Sequence, residues 1–162
     1  MLEKGARCQI SGRDNDMDDS DEQQEDSEES DEDLDHDEII LGNCTDVLIS
    51  IAKALGDSFV PLFGKLAPKL VKYLGDEHPK SDKIMMIGCL AEIMNSCPAS
   101  INAYFDHFFK IILQHCTGTD AQMNRNCSYG FGILAQKAPE KFRLHLKQAM
   151  DAVQLMHQNS DA

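Results

Sequence analysis

The chain has 162 residues, 42% of them hydrophobic, and a formal net charge of −13. That is enough chain for one domain with a real core, and the apolar share is ordinary for a globular protein. The charge is concentrated: 16 of the 25 residues from Asp14 to Glu38 are acidic, with no Lys or Arg among them, whereas Ile39 to Ala162 carries 12 basic and 11 acidic residues. A near-neutral main body without a basic stripe argues against direct nucleic-acid binding.

In chain order, residues 1–13 are too short to assign and read as the remnant of a preceding element. Residues 14–37 form an acidic linker with too little apolar surface to offset its chain entropy, and disorder is the expectation. Such an arm either solubilises the chain or attracts basic partners. Ser27 and Ser30, followed by "EE" and "DED", are phosphorylation candidates for an acid-directed kinase.

From there on the apolar spacing is helical. The first helix runs from about Glu38 to Leu55, with Ile40, Cys44, Val47, Leu48, Ile51 and Leu55 as its stripe. Gly56 and Asp57 end it. The second runs from about Ser58 to Leu74, with Phe59, Phe63, Leu66, Leu70 and Leu74 inward. Pro61 suits its first turn, and Pro68 predicts a kink. The third runs from about Ser81 to Ser96, with Ile84, Ile87, Ala91 and Met94 inward. The fourth runs from about Ser100 to Cys116 and carries Ile101, Phe105, Phe108, Ile112 and Cys116. The fifth, Ala121 to Lys137, turns Cys127, Phe131 and Leu134 to the core. The sixth follows Pro139 and carries Phe142, Leu146, Ala149 and Val153. No run alternates long enough for a strand, so the fold class is all-α.

The helices repeat. "IGCLAE" (Ile87 to Glu92) matches "FGILAQ" (Phe131 to Gln136) at an offset of 44, and Phe63, Leu66 and Leu70 match Phe105, Phe108 and Ile112 at an offset of 42. This is the period of HEAT and armadillo arrays. Residues 38–158 therefore read as a HEAT-repeat α-solenoid: one helix, two full repeats and one further helix, with 159–162 as a tail. An array that starts and stops within a repeat predicts a piece of a longer one. Gly88, Gly130 and Gly132 each weaken a helix by roughly 1 kcal/mol relative to alanine, and close helix approach would offset that.

The order of these features carries a resemblance: an acidic tract, then "GDSFVPLFGKLAPKLV", then "IGCLAEIM", then "NRNCSYGFGILAQ". It resembles the C-terminal HEAT region of the importin-beta (karyopherin-beta) superfamily, closest to its importin-four branch. Asn126, Cys127, Tyr129, Gly130, Gly132, Leu134 and Ala135 fit the branch's last motif, and Asn124, Arg125 and Gln136 depart from it. The resemblance implies a nuclear import receptor, distributed between cytoplasm and nucleus. It implies basic cargo, namely histone or ribosomal-protein localisation segments. It also implies contacts of the whole receptor with the Ran GTPase and nucleoporins.

The resemblance further implies that the second helix of each pair lines a concave face. The residues that face would show are Asn43, Asp46 and Ser50 on the first helix, Met85, Cys89, Glu92 and Ser96 on the third, and Gln122, Asn126, Tyr129, Ile133 and Gln136 on the fifth; Asp46, Cys89, Glu92, Asn126, Tyr129 and Gln136 are the six singled out as cargo-binding candidates. A carboxylate, an amide and an aromatic on adjacent rungs suit a lysine-containing extended peptide. Glu92 would pair with the ammonium, Asn126 would bond the peptide backbone, and Tyr129 would cover the lysine stem.

Other chemistry has little support. Asp14, Asp16, Asp18 and Glu25 mimic a calcium loop, but Asp19 stands where its turn needs glycine. Cys8, Cys44, Cys89, Cys97, Cys116 and Cys127 form no C-x-x-C pair, and the histidines lack zinc spacing. No nucleophile elbow, phosphate loop or dinucleotide turn occurs. No signal peptide or apolar run near 18 residues is evident. The expectation is a non-enzyme without metal, cofactor or membrane span. Its rivals are a HEAT scaffold without transport activity and an acidic histone-chaperone-like module.

Overall fold

The structure, a computed structural model, describes residues 22–116 and 118–160 in backbone and 37–116 and 118–159 in side chain. The expected remnant at 1–13, residues 14–21 of the acidic segment and the last two residues of the tail lie outside that range. The chain divides into two units, Met1–Ile39 and Ile40–Ala162. The second holds nearly all the described elements.

Those elements are α1 (Glu22–Leu55), a 3-10 turn (Gly56–Phe59), α2 (Val60–Lys72), α3 (Lys80–Ser96), α4 (Pro98–His115), α5 (Ala121–Lys137) and α6 (Pro139–Ser160). Helix α1 reaches back to Glu22, well before the expected start near Glu38. Two propensities favour this extension. Glu and Gln are good helix formers, and carboxylates near an N-terminus interact favourably with the helix dipole.

In the second unit the helices form hairpins in two layers, as HEAT repeats do. One layer is α1, α3 and α5, and the other is α2, α4 and α6. Phe63 of α2 meets the Tyr104 ring of α4 edge-on at 5.0 Å, and Phe109 of α4 meets Phe142 of α6 at 6.2 Å. The core lies between the layers. Phe59, Leu70, Met86, Ile93, Met94, Ile101, Phe105, Ile112 and Leu134 are all fully buried. Each such side chain contributes about 1.5–3 kcal/mol through burial. Helix α3 is buried on nearly every side, because α4 and α5 pack against it and α1 meets it at Gly42–Met85 and Lys53–Glu92.

Turns follow from particular residues. Gly56 sits at φ 54, a left-handed conformation that suits glycine, and it ends α1 as expected. Pro61 lies in the first turn of α2; Pro68 lies within α2 on an exposed face. Asp120 caps α5 by accepting a 2.8 Å hydrogen bond from the Met123 N–H, and its other oxygen pairs with Lys80 Nζ at 2.9 Å. One carboxylate thus ties the start of α5 to the start of α3.

Several expectations need correction. On α1 the inward residues are Leu41, Thr45 and Ala52, while Ile40, Val47, Ile51 and Leu55 are exposed. Two apolar stripes lie side by side on this helix, and periodicity does not tell which one meets α3. Likewise α6 buries Ala149, Ala152 and Met156 and leaves Leu146 and Val153 exposed. Ile133 of α5 is buried, and Gly132 is exposed with nothing near its would-be Cβ. The segment Asp37–Lys72 also contains an 18-residue window of mean hydropathy 1.5, long and apolar enough by composition to cross a membrane. Scattered charges such as Lys53 and Asp57 interrupt the segment, so it holds no unbroken apolar run of that length. Within the fold, Gly56 and the 3-10 turn break the segment into two helices.

Candidate functional site

Each helix of the first layer presents one stripe to a shared cleft of about 400 Å³. Helix α1 contributes Gly42, Thr45, Asp46 and Ile49, and α3 contributes Met85, Gly88, Cys89 and Glu92. Both sets follow i, i+3, i+4, i+7, the spacing of one helix face. Helix α5 adds Asn126 and Tyr129. Of the six residues singled out in the sequence, Asp46, Cys89, Glu92, Asn126 and Tyr129 therefore gather at one place. Gln136 does not. It lies exposed on α5, about 10 Å beyond Tyr129 at 1.5 Å per residue.

Glycine makes room for the cleft's floor. A Cβ on Gly88 would stand 3.1 Å from Asn126 Nδ2. In the space left by that hydrogen, the Asn126 amide donates a 2.9 Å hydrogen bond to the Ile84 carbonyl of α3. Asn126 therefore stitches α5 to α3.

Glu92 is the electrostatic centre. Its Oε2 pairs with Lys53 Nζ of α1 at 3.0 Å, and its Oε1 accepts from the Tyr129 hydroxyl of α5 at 2.8 Å. Asn95 donates to the same hydroxyl at 3.2 Å. Burial pushes the Glu92 carboxyl up, but the hydrogen bonds from Lys53 and Tyr129, with the Lys53 charge, outweigh it and hold the group below the usual carboxylate range. Burial, then the bond to Glu92 and its charge, push the Tyr129 phenol up. The Cys89 thiol is pushed up to about 12, by burial first and then by the charges of Asp46 and Glu92. It is a small apolar floor residue and a poor nucleophile.

Sequence reasoning missed Lys53 and Asn95. Lys53 lies seven residues after Asp46, on the same face of α1, so the helical period alone could have placed it there. Asn95 follows Glu92 by three and shares its face. Among the described residues no group of three His, Cys, Asp or Glu side chains is arranged to hold a metal ion. The cleft's chemistry is that of a shallow binding surface, with two carboxylates, a tyrosine and thioether and aliphatic walls.

Comparison with known proteins gives this geometry a context. Residues 6–76 match the family described as Importin repeat 6. The chain is 27% identical over 108 residues to the probable importin subunit beta-4 of Schizosaccharomyces pombe, covering 67% of this chain and 10% of that protein. It is 25% identical over 117 residues to Importin-4 of Homo sapiens, covering 72% of this chain and 11% of that protein. Over 103 residues it is 23% identical to Importin-4 of Mus musculus, covering 63% and 10%. The chain spans about a tenth of the length of these curated relatives. The motif order, the two-layered helical hairpins and these matches agree: the chain is similar to the importin-beta superfamily, near its importin-4 branch.

Proposed function

We propose that this chain serves nuclear import, as part of a transport receptor that holds a lysine-rich extended segment of its cargo in the α1–α3–α5 cleft. The observation that carries the reading is the convergence of Asp46, Cys89, Glu92, Asn126 and Tyr129 from three separate helices on one cleft. Two carboxylates at that cleft favour a cation, and the walls of Met85 and Ile49 suit a lysine stem. The Asn126 amide N–H is committed to Ile84, which leaves its carbonyl oxygen for a peptide N–H. Histone and ribosomal-protein localisation segments are the cargo class this chemistry fits. The acidic segment, which from Glu22 on belongs to α1, adds a long-range attraction that speeds encounter, more so once Ser27 and Ser30 are phosphorylated. Contacts with Ran and nucleoporins, and shuttling between cytoplasm and nucleus, belong to the receptor as a whole.

The test is a titration of the labelled chain with a lysine-rich histone-tail peptide, followed by NMR. Shifts should cluster on residues 42–53, 85–92 and 126–129. Shifts confined to the acidic segment would make that segment the basic-protein binder and remove the cleft from consideration.

A further inference from the structure

We propose that Lys53 acts as an internal stand-in for a cargo lysine: it occupies Glu92, and the ligand's cation is taken by Asp46. This rests on the reading of the cleft as a lysine site and assigns the roles of its two carboxylates. Both Glu92 oxygens already have partners, Lys53 at 3.0 Å and the Tyr129 hydroxyl at 2.8 Å. Asp46 lines the same cleft, is exposed, and has neither an ion pair nor a side-chain hydrogen bond among the described residues. Two carboxylates and one resident ammonium leave the cleft one negative charge. As built, it takes one cation, and the open carboxylate is where that cation is stabilised.

Lys53 is held loosely. Its side chain is 58% exposed, and an ion pair in that setting contributes little. A second ligand lysine therefore reaches Glu92 by displacing Lys53 at small cost. Segments with two suitably spaced lysines then exchange one ion pair for an equivalent one, whereas a single lysine at Asp46 gains a new one. Lys53 in this way sets how far the cleft discriminates between singly and doubly basic segments.

A calorimetric titration with a two-lysine extended peptide tests this. The proteins are wild type, Asp46→Asn, Glu92→Gln, Lys53→Met, the double variant Lys53→Met/Glu92→Gln, and Lys69→Met. Lys69 is an exposed lysine of α2 and serves as the net-charge control. Thermal melts verify that all are folded. Asp46→Asn should weaken binding about fivefold or more. Lys53→Met should tighten it roughly two- to fivefold, and more than Lys69→Met does. The double variant should return to wild-type affinity, since it deletes a pair that neutralises itself. If the double variant binds as weakly as Glu92→Gln, and Asp46→Asn binds like wild type, Glu92 takes the ligand lysine directly and the proposal is overturned. Equal tightening by Lys53→Met and Lys69→Met would also overturn it. A wild type that does not bind at all would overturn the cleft reading itself, which separates that failure from the other two.

Discussion

Gly88 and Gly132 occupy the same position in two copies of one repeat, yet their surroundings are opposite. On α3, the place a Cβ would take at Gly88 is 3.1 Å from Asn126 of the next helix in the layer. On α5, the same place at Gly132 has nothing within 4 Å beyond the backbone of its own helix and its two chain neighbours. The tight glycine of α5 is its neighbour Gly130, where a Cβ would stand 2.7 Å from Ile112 Cδ1 of α4. A repeat position therefore fixes an address on the helix, while the element packed there decides whether a missing side chain matters.

Substitution can break that comparison. Gly130→Leu should have the largest effect, because Ile112 and Phe108 leave no room and overpacking a core costs typically ~1–3 kcal/mol. Thermal melts should show a loss of several degrees, and an unchanged melting temperature would mean that α4 and α5 separate more easily than their packing suggests. Gly132→Ala should go the other way, gaining roughly 1 kcal/mol from helix propensity with nothing to collide with. Gly88→Ala should fall between. The same propensity gain is offset by strain on the Asn126–Ile84 hydrogen bond, worth about 1 kcal/mol, so the net change should be close to zero. Matching stabilisation at positions 88 and 132 would show that Asn126 yields freely and that the floor of the cleft is soft.

The smallest effect is chemical. Burial pushes the thiols of Cys89 and Cys127 up to about 12, whereas Cys44 is only half-buried. A group whose thiol is held that high is protonated at pH 8, so iodoacetamide should modify Cys44 well before either of the others. Early labelling of Cys89 would mean that the stripe of α3 beneath the cleft opens readily to solvent.

Much of this was legible in the sequence, for identifiable reasons. The Phe105–Phe108–Ile112 stripe and the matched "GxLA" helices follow the 3.6-residue period, and a period is a local property of the chain. Which side of α1 faces α3 was not legible, because Ile40, Val47 and Ile51 are as apolar as the buried Leu41 stripe. That choice depends on helices distant in sequence. The cleft was half legible. Spacing put Asn126 and Tyr129 on one side of their helix, and the resemblance implied that they share a concave face with Asp46 and Glu92, but the Lys53–Glu92–Tyr129 linkage joins three helices 37 to 39 residues apart in sequence, and no spacing rule couples them. Gly132 misled because its repeat partner Gly88 is packed.

The central claim is that fixed side chains in the α1–α3–α5 cleft, and not the acidic segment alone, hold a basic peptide. Its most direct measurement is the affinity of a histone-tail peptide for wild type and Glu92→Lys at low and high salt. The substitution places a second ammonium beside Lys53 and should weaken binding roughly tenfold, with much of the loss persisting at high salt, where the diffuse attraction of the acidic segment is screened. Equal affinity for the two proteins at both salt concentrations would contradict the account and leave the acidic segment as the place where the peptide is held.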